Sequence, residues 1–197
     1  MNSPARRPAV QFADYAGRLQ KVLHDSSWEG VEALGRDLLD CWRDKKQVFL
    51  CGNGGSAGNA LHLANDFLYG ISKTYGCGLR VNALSANASV LTCLANDCGY
   101  DEIFSMQLAV QANQGDVLIV LSGSGNSPNI LKALEQARRS GVKSYAILGY
   151  SGGKAKALAD VALHFAVDDM QISEDLQLIV GHMLMQWLYQ HRPAGTA

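Results

Sequence analysis

Residues 47–59 read QVFLCGNGGSAGN, a short apolar run that passes directly into Gly52, Gly54, Gly55 and Gly58. An apolar run of this length that ends on glycine predicts a buried strand, and residues 57–71 after it carry helical spacing. A strand that enters a helix through a glycine loop is a unit of an open parallel sheet, and ligands bind beyond the carboxyl ends of such strands. The pattern then recurs. Residues 79–84 (LRVNAL), 116–121 (DVLIVL), 143–148 (KSYAIL) and 161–165 (VALHF) are further strand-like runs. Helical patterns fill 87–96, 101–113, 127–140 and 153–159, and a last one covers about 172–191. Upstream, 10–24 and 28–44 place Phe12, Tyr15, Leu19, Val22 and Leu23, then Val31, Leu34, Leu38, Leu39 and Trp42, at helical intervals.

The expected architecture is a three-layer α/β/α sandwich around a mostly parallel five-stranded sheet, preceded by two N-terminal helices. No repeat or linker interrupts it, so residues 1–197 are expected to form one domain, with leading helices over about 10–44 and an α/β core over 45–192. The first dozen residues and the tail from Pro193 read as frayed ends. In the last helix Leu176, Ile179, Val180, Met183 and Trp187 form one apolar stripe, while Leu178, Met185 and Leu188 lie largely off it. A helix apolar on two sides is buried on both, which points to a subunit interface and an oligomer.

Composition narrows the function classes. A formal charge of −1 gives no basic footprint for nucleic acid or an anionic membrane, so neither is expected as a partner. A small anion remains possible, because backbone amides at helix starts bind phosphate without lysine. No apolar run is long enough to span a bilayer, and MNSPARRPAV lacks the apolar stretch of a secretory signal. Five cysteines, an odd number with no CxxC pair, read as reduced thiols of a cytoplasmic protein, mostly in or near the core, with Cys51 as packing.

The first glycine loop, residues 52–59, admits a plain reading as a tight turn capped by Ser56. Three glycines within four residues exceed what a cap needs and favour a ligand. The loop also fits the dinucleotide fingerprint, but no Asp or Glu occurs from Phe67 to Asn96, where the ribose-binding acid is expected. The second loop, LSGSGNSPN at 121–129, follows another strand, alternates hydroxyls with glycine and places Pro128 in the first turn of a helix. With no lysine after the glycines it is not a Walker-type loop. Two such loops at strand ends suit a neutral phosphate cradle.

His62 and Asp66 stand at i and i+4 on one helix face. His182 follows Glu174 by eight residues on the last helix, again roughly on one face. Two helices that each offer a carboxylate and an imidazole can assemble a divalent metal site or an acid–base pair. His24, His164 and His191, without such company, read as satisfied core residues.

CGNGGSA, ANDCGYDEIFS, GDVLIVLSGSGNSPN and LGYSGGK, in this order, resemble the SIS (sugar isomerase) domain family and its phosphoheptose isomerase subfamily over nearly the whole chain. The resemblance implies a homotetramer with active sites at subunit interfaces. It also implies conversion of sedoheptulose 7-phosphate to D-glycero-D-manno-heptose 7-phosphate for surface polysaccharide. By the same resemblance Ser56, Ser122, Ser124 and Ser127 hold the phosphate, Asn53, Gly54, Gly55, Asn96 and Asp97 contact the sugar, and Gly123 also binds the substrate. Read alone, Asn96 and Asp97 are a helix end running into Gly99. The positions of His62, Asp66, Glu174 and His182 match the family's Zn2+ ligands, and the carboxylate and final histidine are also catalytic there.

Two positions depart from the family. Asp66 stands where the family has Glu, and Glu174 where it has Gln, so either carboxylate is a candidate base beside His182 as acid. Two other readings stay open: a non-catalytic SIS module that binds sugar phosphate or assembles with proteins, and an isomerase of a different sugar phosphate.

Overall fold

The computed structural model describes residues 12–73 and 76–193. The frayed ends expected above fall, apart from Phe12 and Pro193, outside these residues. In chain order the elements are α1 (Phe12–Asp25), α2 (Glu29–Arg43), β1 (Gln47–Gly52), α3 (Gly55–Leu68), β2 (Arg80–Ala83) and α4 (Ala88–Asp97). There follow α5 (Ser105–Gln111), β3 (Val117–Ser122), α6 (Pro128–Arg139), β4 (Lys143–Leu148), α7 (Ala155–Leu158), β5 (Val161–His164) and α8 (Met170–Gln190). The strands form one sheet in the order β2-β1-β3-β4-β5, and every pairing is parallel.

Alternate side chains of each strand feed two cores, as the period of two requires. Val48, Leu50, Val117, Ile119, Tyr145 and Ile147 face a cluster with Leu34, Leu38, Leu63, Phe67, Leu176 and Val180. Phe49, Cys51, Leu118, Val120, Ala146 and Leu148 face the other, with Phe104, Leu108, Ile130 and Leu134. Hence α1, α2, α3 and α8 cover one face and α4 to α7 the other. Because β1 is flanked by β2 on one side and β3 on the other, the sheet's topological switch lies between β1 and β3. Both glycine loops leave from the carboxyl ends of those two strands.

On the first face α3 and α8 run side by side in the same direction. Gly55 adjoins Glu174, Asn59 bonds Gln177 and His62 meets His182, so the register advances together along both helices. Gly181 makes the close approach possible, since a Cβ there would lie 2.0 Å from Leu63 Cδ2.

Three expectations are corrected. The buried stripe of α8 is Leu176, Val180, Leu184 and Leu188 at strict i, i+4 spacing, so Leu188 belongs to it while Met183 is exposed. His24 and His191 lie on the surface, and only His164 is satisfied internally, between the Tyr150 carbonyl and Lys156. All five cysteines are free, but only Cys41 and Cys51 are buried. Cys77, Cys93 and Cys98 are exposed, because the segments that carry them flank the sheet rather than enter it. Among the described residues, no helix is long and apolar enough to cross a membrane.

Candidate active site

Loop one is built around what glycine permits. Gly54 precedes α3 with φ of 55°, a left-handed conformation that costs glycine little. At Gly55 a Cβ would lie 2.4 Å from Glu174 Oε1, so the missing side chain lets the α8 carboxylate pack against the loop. Ser56 is not a cap. It is the second residue of α3, buried, and its Oγ accepts from Gln177 Nε2 at 3.0 Å. Asn59 Nδ2 donates to Gln177 Oε1 at 3.0 Å and to the Glu174 carbonyl at 3.0 Å, which ties the second turn of α3 to the second and third turns of α8.

Loop two is held from behind by the β4–α7 loop. Gly149 N–H donates to the Gly123 carbonyl and Ala155 N–H to that of Gly125, both at 3.0 Å. Lys154 N–H donates to Asn126 Oδ1 at 3.1 Å. Gly125, with φ of 65°, comes so close to Gly152 that a Cβ would lie 2.0 Å from its carbonyl oxygen. Ser122 Oγ accepts from Gly125 N–H and Ser124 Oγ from Asn126 N–H. Ser127 occupies the N-cap position of α6, yet its hydroxyl makes no capping bond.

Between the loops lies a pocket of about 260 Å³. It is lined by Asn53, Gly54, Gly55 and Ser56, by Ser122, Gly123, Ser124 and Ser127, and by Met170 and Glu174 of α8. The first turns of α3 and α6 open here, and the leading amides of a helix have no partner within it. With hydroxyls and helix N-termini around it and no lysine or arginine in its lining, the pocket suits a phosphate bound without a cation.

Asn96 and Asp97 are not in that lining. They end α4 in exposed positions, where Asn96 Nδ2 donates to Asp97 Oδ1 at 2.7 Å. The Cys93 thiol donates to Asp97 Oδ2, and that carboxylate holds the thiol above its ordinary pKa. Cys51, beneath loop one, is pushed up by burial alone and is an inert packing residue.

A second cluster lies farther along the same two helices. His62 Nε2 and His182 Nε2 are 3.0 Å apart, and Asp66 Oδ2 is 3.3 Å from the first and 3.5 Å from the second. Each residue offers a ligand atom, and these three lie within 4.8 Å of one another. Asp66 is nearly buried while both imidazoles are half exposed. Two imidazole nitrogens and a carboxylate oxygen are the donor set of a three-ligand Zn2+ site with an open position, so the residues fit a divalent ion.

Glu174 does not join this group. Eight residues of α-helix advance about 12 Å, so sharing a face with His182 does not put it at the same place. The expected four-residue constellation is therefore a group of three plus a carboxylate at the pocket. Asn129, Gln177, Asn59 and Tyr100 belong to the surroundings of the site and were not legible as such. Asn129 and Gln177 bond residues 76 and 121 positions away in sequence, which leaves no local signal.

Comparison with known proteins accords with this geometry. The SIS domain model matches residues 11–149. Phosphoheptose isomerase of Helicobacter pylori strain P12 is 40% identical over 181 residues, covering 92% of this chain and 93% of its own. That of Chlorobaculum tepidum is 39% identical over 176 residues, covering 87% and 83%. The phosphoheptose isomerase structure from Neisseria gonorrhoeae superposes with a TM-score of 0.81 at 28% identity, over 88% of this chain and 94% of that one. The Francisella tularensis structure shares the fold with a TM-score of 0.85 at 24% identity, over 91% and 95%. The chain belongs to the SIS domain family, in the branch of the phosphoheptose isomerases.

Proposed function

We propose that this chain interconverts sedoheptulose 7-phosphate and D-glycero-D-manno-heptose 7-phosphate, an aldose–ketose isomerisation through an enediolate, in heptose synthesis for surface polysaccharide. The observation that carries the reading is the meeting of His62, Asp66 and His182 on the same two helices whose first turns flank a cation-free pocket. Pocket and cluster are what an anionic, proton-shuffling substrate needs.

In this reading the hydroxyls of Ser56, Ser122, Ser124 and Ser127 and the amides around Gly123 hold the phosphate. Asn53, Gly54 and Gly55 contact the sugar, with Asn96 and Asp97 reached from α4. His62, Asp66 and His182 would hold a divalent ion, Zn2+ by family, which would supply Lewis-acid stabilisation of charge on the sugar oxygens. Glu174 is the pocket's one carboxylate, neither hydrogen-bonded nor ion-paired among the described residues. Uncommitted, it is free to take the C1 proton and return it to C2. Asp66, whose Oδ2 is already shared by two imidazoles, is the second candidate for the base. Where Asp66 is the base, His182 beside it moves the proton between O1 and O2.

The proposal includes one SIS domain over residues 1–197, a cytoplasmic location and a homotetramer. A mainly apolar groove on the outer side of α2 and α8, lined by Trp28, Val31, Gly35, Met183, Leu184 and Trp187 together with Glu32 and Arg36, supports association of copies. The non-catalytic reading is disfavoured because a scaffold has no use for a convergent His–Asp–His group. The test is an NMR assay of sedoheptulose 7-phosphate with zinc-loaded and chelator-stripped protein. Aldose formed only by the loaded protein supports the proposal, and no aldose from loaded protein overturns it.

A further inference from the structure

The amide of Asn53, at the end of β1, is almost fully committed before any ligand arrives. Its Oδ1 accepts from Asn129 Nδ2 at 2.8 Å and from the Tyr100 hydroxyl at 2.9 Å. Its Nδ2 donates to Asn129 Oδ1 at 2.9 Å. A side-chain amide has two acceptor lone pairs and two N–H donors. Both lone pairs of Asn53 are thus taken, and one N–H remains.

Asn53 lines the pocket, so that single N–H is all its amide has left for a ligand. Asn129 is the partner that enforces this. It is 1% exposed, second in α6 immediately after Pro128, and pairs with Asn53 edge to edge. A buried amide satisfied by a reciprocal pair has few other places to go, because leaving either end unpaired is costly. Tyr100 approaches from the short turn Tyr100–Glu102, beyond the end of α4, and closes the second lone pair. Loop one, loop two and the segment after α4 therefore meet at one side chain.

We propose that Asn129 is a positioning residue which, helped by Tyr100, fixes Asn53 as a hydrogen-bond donor alone, aimed at an oxygen of the sugar rather than at a hydroxyl proton. This rests on the proposed phosphosugar reading of the pocket. A group held as a donor favours an acceptor in the ligand, and it gains strength when that oxygen acquires negative charge. A sugar oxygen that becomes charged during isomerisation is such an acceptor. Asn53 then contributes to turnover as well as to binding, although Asn129 touches no substrate.

The test compares unchanged protein with Asn129→Asp and Tyr100→Phe. Asn129→Asp keeps the acceptor for Asn53 Nδ2 but sets an oxygen against Asn53 Oδ1. Expected for Asn129→Asp is a kcat for sedoheptulose 7-phosphate lowered at least tenfold at saturating substrate, while the added charge in the first turn of α6 weakens inorganic phosphate and sugar phosphate alike and by a smaller factor. Tyr100→Phe, which removes one donor to Asn53 Oδ1, should lower kcat two- to fivefold at unchanged phosphate affinity. A loss confined to binding, with kcat unchanged in Asn129→Asp, overturns the proposal.

A measurement on unchanged protein covers the case in which Asn129→Asp does not fold. In its 1H–15N spectrum one Asn53 side-chain amide proton should move on adding sedoheptulose 7-phosphate, and its partner, bonded to Asn129, should not. If the sugar phosphate binds and neither proton moves, this inference fails alone. If the sugar phosphate does not bind at all, the proposed function fails first.

Discussion

His62 and His182 face each other from adjacent helices with their Nε2 atoms 3.0 Å apart and their rings edge to face. At that separation the two nitrogens share one proton or point both lone pairs at one cation, and Asp66 Oδ2 completes the second arrangement at 3.3 and 3.5 Å. His182→Ala should therefore weaken Zn2+ or Co2+ binding by at least about a hundredfold, because two ligands remain of three. The intensity of the Co2+ visible absorption during titration reads this directly. An unchanged affinity would place the ion elsewhere.

Glu174 and Asp66 can be told apart by substitution. Glu174→Gln should reduce turnover by about 10²–10⁴-fold, the usual range for loss of a general base. Inorganic phosphate affinity should stay level or rise, since the pocket loses its one negative charge. Steady-state kinetics and calorimetric titration with phosphate check the two halves. Turnover preserved in Glu174→Gln and abolished in Asp66→Asn would assign the base to Asp66.

Ser127 stands at the start of α6 without capping it. Removing a helix cap ordinarily costs about 0.5–2 kcal/mol, whereas Ser127→Ala should change stability by less than about 0.5 kcal/mol. Phosphate binding should fall by roughly tenfold or more, corresponding to a lost hydrogen bond to a charged group of about 1.5–3 kcal/mol. Urea denaturation and phosphate titration of one variant test the pair. Loss of stability without loss of affinity would return Ser127 to a capping role.

The packing of α3 on α8 depends on Gly181, where a Cβ would lie 2.0 Å from Leu63 Cδ2. Gly181→Ala should cost about 1–3 kcal/mol in urea denaturation as the helices are forced apart. Because His182 is the next residue, metal affinity should fall with it. A variant as stable as the unchanged protein would mean that Leu63 repacks freely.

The fold was legible because its signals are local. The apolar runs QVFLC, DVLIVL and KSYAIL are buried on both faces, so they read as parallel strands and lie within a residue or so of β1, β3 and β4. Both loops were legible from glycine and serine spacing alone. Two further features were not. Asn129 and Gln177 look like ordinary helix polar residues, and their importance comes from Asn53 and Ser56, brought near only by the packing of whole helices. That Glu174 and His182 share a helix face does not bring them together, because helical periodicity reports the face of a residue and not its height along the axis.

The most direct measurement follows C1 of sedoheptulose 7-phosphate by NMR in D2O with zinc-loaded protein. Deuterium appearing at C1, at a rate that collapses in Glu174→Gln, is the result predicted for proton transfer through an enediolate at this pocket. A sugar phosphate that binds but keeps both C1 protons indefinitely would contradict it.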